Sequence, residues 1–360
     1  MASRNLVLYL MFLAVVSTMA GAQTASPSGG GAMDLARLLQ AESTPRAAIE
    51  AWLAGEVTAG RGRAAAALLI EAGAARLRDG DAATAVDLLE VGGQADPASG
   101  AAFSMLGRAR SQLRDYEAAE AALREAVARG DANPTTLVFL GAAQWENGRL
   151  EEAEATYRRA VEASGRQALP LAQLGRLLLW RGRYEEAVPA LTEALARQPR
   201  AVEVHLDLAE ALRGAGRRDE AIAAFEAVVR AAPDQMKARY GLARLLAQRG
   251  DTEASREHFA AYQQLYQADQ ERALADEAWK GALDLARHRL DQGKAQAALD
   301  GLVSLPATVE VLDLRSLALI ALGRDEEALA ALQQAVVLDP GRSELRRRLG
   351  DLRSRVTGGR

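Results

Sequence analysis

Residues 174–194 read Leu174-Gly175-Arg-Leu-Leu-Leu-Trp-Arg-Gly182-Arg-Tyr184-Glu-Glu-Ala187-Val-Pro-Ala-Leu191-Thr-Glu-Ala194. Apolar residues recur at spacings of three and four on both sides of Gly182, as in Leu171, Leu174 and Leu178, then Leu191, Ala194 and Leu195. That period belongs to two amphipathic helices broken by a glycine turn. Outward from this stretch the pattern repeats at one fixed step, the distance from Gly141 to Gly175. Gly73, Gly107, Gly141, Gly175, Ala209 and Ala243 form one series at that step, and Ala85, Ala119, Ala153, Ala187, Ala221 and Ser255 form a second. Between each small pair lies Gly80, Gly148, Gly182, Gly216 or Gly250, with Arg114 as the exception. Four residues after each second small residue come Leu89, Leu123, Tyr157, Leu191, Phe225 and Phe259, which therefore share its helical face.

A fixed period of this length marks a repeat architecture. Each unit is read as an antiparallel helix pair in which the first small residue lets the two backbones approach and the second receives that approach. Apolar surface left over on one pair is buried on the next, so the units must stack. Pro97, Pro199, Pro233 and Pro340 fall at unit ends, where they stop the second helix.

In register, the Leu-Gly, turn Gly, Tyr-Glu-Glu-Ala and closing Ala of residues 174–194 resemble the tetratricopeptide repeat (TPR) family. Six units starting near Ala66, Gly100, Pro134, Ala168, Val202 and Met236 match, over residues 66–269, and another spans Val309 to Arg342. The resemblance implies an all-α, right-handed superhelical solenoid of antiparallel helix pairs. The family's usual first-helix Trp and Tyr are replaced by residues such as Leu69, His205 and Arg239, then Arg76, Arg110 and Leu178.

Between these blocks the register breaks, since Ala298 comes later after Ser255 than the repeat step allows. No Gly or Pro occurs from Thr252 to Lys280, which predicts a long second helix through Phe259, Tyr262 and Tyr266, and another helix from about Asp276 to Gln292. Residues 270–308 are thus an irregular unit, and the three aromatics, on one face, read as core packing. Residues 343–360 form a capping helix and basic tail. From 342 onward seven arginines face only Glu344 and Asp351, which reads as a solvated cap rather than an anion-binding tail.

Composition supports helices. The chain has 360 residues, about a fifth of them alanine, with 49% hydrophobic but only 4% aromatic residues. All-β architectures need β-branched and aromatic residues in numbers that are missing. Zero cysteines exclude disulfides, thiolate zinc sites and a cysteine nucleophile. A net charge of −4 gives no electrostatic footprint for nucleic acid or an anionic membrane.

At the start, Arg4 precedes the apolar run Leu6 to Val16, with Ala20 and Ala22 in small-residue cleavage positions. Residues 1–22 are expected to be a secretory signal peptide cut after Ala22, the alternative being an uncleaved anchor. The expected location is the periplasm, with secretion or inner-membrane anchoring as the other outcomes of export. Any contact with a membrane would run through that segment alone. Residues 23–32 are a Gly/Ser/Pro tether, and 33–65 are N-terminal helices, one of them starting at Thr44-Pro45 and running through Trp52.

No chemistry emerges. His205, His258 and His288 form no metal-binding pair, and Gly293-Lys294 lacks the rest of a phosphate loop. Acidic pairs such as Glu151-Glu152 and Glu185-Glu186 suit the positive ends of second helices. Glu193 sits on what reads as a solvated face. The chain is therefore read as a non-enzymatic binding protein that needs no cofactor and no metal.

The family resembled usually binds peptides along a first-helix stripe. Here that stripe holds Arg108, Val138, Trp145, Arg176, Leu179, Trp180, Glu210, Arg213, Tyr240 and Arg244. Two of the four tryptophans fall on it, in adjacent units. They fit either a binding role or simple cover for neighbouring helices. Two functions follow: an exported scaffold holding a protein or peptide segment in its groove during envelope or secretion complex assembly, or a module stacking an acidic polysaccharide on the groove aromatics.

Overall fold

The computed structural model describes residues 46–358, together with Leu35 and residues 37–39. The signal segment, the tether and the start at Thr44-Pro45 lie outside the described residues. Every regular element among those described is an α-helix. None of these helices is long and apolar enough to cross a membrane.

The chain divides after Tyr262 into two compact units. In the first, α1 (Arg46–Thr58) is followed by the pairs α2 (Gly62–Arg78) and α3 (Ala82–Ala95), α4 (Gly100–Gln112) and α5 (Tyr116–Ala128), α6 (Pro134–Glu146) and α7 (Leu150–Ala163), α8 (Ala168–Trp180) and α9 (Tyr184–Arg197), and α10 (Val202–Gly214) and α11 (Arg218–Ala231). Then come α12 (Met236–Arg249) and the start of α13 (Thr252–Asp291). Trp52 lies on α1, where it packs against a core of Leu35, Leu39, Ile49 and Leu69.

Within a pair, the small residues work through the large one. A Cβ added at Gly73, Gly107 or Gly175 would lie 2.6, 2.4 or 2.6 Å from the Cγ of Leu89, Leu123 or Leu191, and one at Gly141 would lie 2.7 Å from the Tyr157 ring. The leucine or tyrosine of the second helix thus fills the space that the missing side chain leaves, and Ala85, Ala119, Ala153 and Ala187 are fully buried beside it.

The turns share one geometry. Gly80, Gly148, Gly182, Gly216 and Gly250 all have positive φ, and Arg114 adopts φ 61° at the same position. At Gly182 its N–H donates to Leu179 O at 3.0 Å while Arg183 N–H reaches Leu178 O at 2.9 Å, closing a Schellman motif that requires the left-handed residue. Before each unit-ending proline the chain is extended, with ψ of 79°, 74°, 85° and 84° at Asp96, Gln198, Ala232 and Asp339.

Adjacent pairs are also joined by charge. Glu120, buried on α5, accepts from Asn147 Nδ2 at 2.6 Å and from Arg149 at 3.0 Å, both in the next unit's turn. One register on, Glu154 of α7 accepts from Arg183 at 2.7 Å and from Arg181. Glu193 is likewise engaged: Arg166 grips both its oxygens, and that pairing holds its carboxyl below the ordinary glutamate range. The solvated-face reading of Glu193 therefore gives way to an inter-unit ion pair, whose partner lies 27 residues away and outside any helical period.

α13 is a single helix of 40 residues, where two helices were expected. From Tyr266 to Ala278 every residue is exposed. Phe259 and Tyr266 are also exposed, so the aromatic face is not core. In the second unit, the last turns of α13 pair with α14 (Ala295–Leu302), and Leu283, Ala286, Ala298 and Leu302 share a core. The second helix of one pair and the first helix of the next are thus fused, which removes the proline-marked joint and breaks the register. Ala286, Gly293, Ala298 and Leu302 keep the small, turn, small, large spacing of every other unit. α15 (Val309–Ala321) and α16 (Asp325–Leu338) follow, and Leu345 and Leu352 of α17 (Ser343–Gly358) are buried on them. Two of the tail arginines are paired with the last repeat, Arg348 with Asp313 at 2.6 Å and Arg355 with Asp325 at 3.0 Å.

Candidate functional site

First helices of neighbouring pairs touch one another, α2 with α4, α4 with α6, α6 with α8 and α8 with α10, whereas successive second helices of these pairs do not pack comparably. Spacing is therefore tighter on the first-helix side of the Ala2–Tyr262 unit, which makes that side the inner one and places the stripe on it.

The tryptophans meet. Trp145, at the end of α6, and Trp180, at the end of α8, contact edge to face with ring centroids 6.2 Å apart and an interplanar angle of 63°. Trp180 is 62% exposed, while Trp145 is half-buried and packs against the main core of the unit. The pair is one patch with unequal members, in which Trp145 supports and Trp180 presents.

The arginines on the stripe are mostly engaged. Arg176, one turn before Trp180, donates from Nε to Asp207 at 2.9 Å. Asp207 lies on α10, and its own carboxyl is pushed up by burial more than Arg176 draws it down. Arg213 is held by Glu210 at 2.5 Å within the same helix. The Arg108 guanidinium lies 5.0 Å from the centre of the Phe139 ring. Val138 is 7% exposed and packs with Leu137 and Ala160, so it belongs to the core. Ala160 of its own pair's second helix shares that core, and Val127 of α5 packs against it.

A second aromatic patch ends the array. Tyr240 contacts Tyr262 at 5.2 Å and Phe259 at 6.4 Å, and Arg244 sits 5.7 Å from the Tyr240 ring centre. The stripe thus carries two separate aromatic patches, at Trp145/Trp180 and at Tyr240, joined by paired charges. Sequence reasoning missed Asp207, Phe139 and the partnership of Tyr240 with α13. Asp207 was findable, because a position 31 residues after Arg176 lies beside it on the neighbouring first helix. The α13 contact was hidden by the register break.

Among the described residues no group of acids and histidines could hold a metal ion. His205 Nε2 lies 2.8 Å from Pro199 O, a local contact within one unit start.

Family models described as tetratricopeptide repeat match residues 104–168, 178–235, 212–276 and 309–342. Among solved structures, MamA 41-end from Desulfovibrio magneticus RS-1 is 19% identical with a TM-score of 0.45, over 47% of this chain and 96% of that one. YrrB, described as a TPR protein with an unusual peptide-binding site, is 19% identical with a TM-score of 0.46, over 53% of this chain and 97% of that one. No curated protein matches. Helix pairs that recur at one fixed step, with a small residue facing a large one and a left-handed turn between, coincide with the matched segments, and the chain belongs to the tetratricopeptide repeat family.

Proposed function

We propose that this protein is a non-enzymatic protein–protein interaction scaffold that holds a partner segment along the first-helix face of its Ala2–Tyr262 unit. The observation that carries this reading is the Trp145–Trp180 pair, because a large exposed ring backed by a second, packed ring is a ready anchor site. Arg176 is held beside the pair by the bond from its Nε to Asp207.

The test separates anchor from support. Trp180→Ala should abolish capture of the partner from the cell envelope, typically costing about 2 kcal/mol or more at a true hot spot, and leave the melting temperature unchanged. Trp145→Phe keeps the packing and should weaken capture less. Capture that survives Trp180→Ala sinks the reading. Titration of the tryptophan fluorescence with an acidic oligosaccharide provides the contrast: saturation there, with no protein captured, would put a polysaccharide in the groove instead.

Export to the periplasm, in service of envelope or secretion complex assembly, belongs to the same proposal and rests on the Leu6–Val16 run and the Ala20/Ala22 positions. N-terminal sequencing of protein from the envelope fraction should begin at Gln23. An intact Met1 in a membrane pellet would replace cleavage by anchoring.

A further inference from the structure

The joint between α11 and α12 differs from the one before it and carries a charged opening. At the α9–α10 joint, the Tyr184 ring lies against Gly214, where an added Cβ would come within 2.5 Å of it. One repeat step on, the corresponding positions are Arg218 and Gln248, so the next joint carries an arginine and a glutamine in place of the ring and its seat. An open cleft of about 190 Å³ lies there, lined by Arg213, Gly216, Arg218, Arg244, Leu245 and Gln248.

Its charge is unbalanced. Glu210 neutralises Arg213. Among the described residues no carboxylate pairs with Arg218 or Arg244, and Asp219, the acid next in sequence, is turned toward Arg249 at 4.0 Å. Arg244 occupies the register position of Arg176, and where Asp207 pairs with Arg176 no carboxylate does the same for Arg244 among the described residues. The Tyr240 ring beneath Arg244 leaves its N–H groups free to donate. Three guanidinium groups against one carboxylate leave two positive charges in a cleft that can admit a small oxyanion, and guanidinium forks suit an acceptor with several oxygens.

We infer that this cleft is an anion site for a phosphoryl group, whose double charge balances Arg218 and Arg244. The site deepens the segment-binding reading, resting on it only for the expectation that the group is carried on the bound chain; recognition of the phosphoryl group itself is a property of the cleft.

The experiment is a calorimetric titration of the full chain with inorganic phosphate, with phosphoserine blocked at both ends, and with acetate. Saturable binding of either phosphorylated probe, at least tenfold tighter than acetate, is expected. Arg218→Tyr, which installs the side chain found at the same register position in two other units, and Arg244→Gln should each weaken it tenfold or more with unchanged melting temperature. Blocked phosphoserine binding more tightly than inorganic phosphate identifies a chain-borne group, and the reverse a free anion, both of which support the site. Absence of saturation, equal affinity for acetate, or binding that survives both substitutions overturns it. Trp180→Ala should leave phosphate binding untouched, so failure of segment capture and failure of the cleft are read separately.

Discussion

Arg114 shows what one position in the repeat demands. It holds the left-handed conformation that glycine holds in the corresponding turns of the other pairs, and it makes the same pair of backbone bonds, with Arg114 N–H on Ser111 O at 3.1 Å and Asp115 N–H on Arg110 O at 3.0 Å. A non-glycine residue there costs about 1–2 kcal/mol, part of which glycine returns as unfolded-chain entropy. Arg114→Gly should therefore raise stability by about 1 kcal/mol in a urea melt, and a loss would mean that its side chain makes an unseen contribution. Tyr157 is the converse case, a side chain that packs but is polar. Its ring fills the seam at Gly141, and burial pushes its hydroxyl far above the usual tyrosine range, with no hydrogen-bond partner among the described residues. An unsatisfied buried hydroxyl costs about 1–3 kcal/mol, so Tyr157→Phe should stabilise, and a melting temperature that falls would reveal a partner such as buried water. Gly175→Leu, by contrast, drives carbon into Leu191 and should cost about 1–3 kcal/mol or more by the same melt.

Helices and their joints were legible to different degrees. The seam was readable because small and large side chains alternate at fixed spacing, and the second helices end where the prolines require. α13 was misread because a missing glycine or proline says only that a helix continues, not where it stops serving one pair and begins serving the next. Ala286, Gly293, Ala298 and Leu302 held the clue, visible once the unit is recognised by its internal spacing rather than by its distance from the unit before. The stripe was legible as a face, but the pairing of Arg176 with Asp207 shows only when neighbouring first helices are read side by side, because the two residues belong to successive units. α17 is an element whose role follows from its burial. Leu345 and Leu352 cover α15 and α16, and at about 1.5–3 kcal/mol for each buried leucine its removal should cost about 3 kcal/mol or more. Deleting residues from Ser343 onward should lower the melting temperature and raise aggregation, and an unchanged melt would show that the last pair caps itself.

Across the whole molecule, arginine is spent on holding carboxylates. Arg183, Arg217 and Arg324 each precede a second helix and fork the glutamate three residues on, Glu186, Glu220 and Glu327. These pairings hold the three carboxyls below the ordinary glutamate value of 4.5. At Glu90 burial works upward, but Arg110 and Arg46 outweigh it. A carboxyl whose folded pKa is depressed contributes stability that is present above the unfolded value and lost as pH falls through the folded one. Asp87 and Asp207, pushed up by burial, work in the opposite sense but are fewer. The melting temperature should therefore drop between pH 5 and pH 3, each exposed pair contributing little and the set contributing together. A flat profile would show that the pairs are geometric only.

The buried carboxylates of Glu120 and Glu154 give the array an order. A stack of similar modules invites the idea that any one could be exchanged for another, yet each of these acids has one partner on its own helix, Arg124 or Arg158, and takes the other two from the turn that follows it, Asn147 and Arg149 in one case, Arg181 and Arg183 in the other. The corresponding place two joints away holds Val188, which asks for no partner. Shuffling the modules would leave a buried acid with only its own-helix arginine at one boundary and waste a pair of donors at another, so the sequence of units is written into their joints like an address, and the array can be extended or cut at some boundaries far more freely than at others.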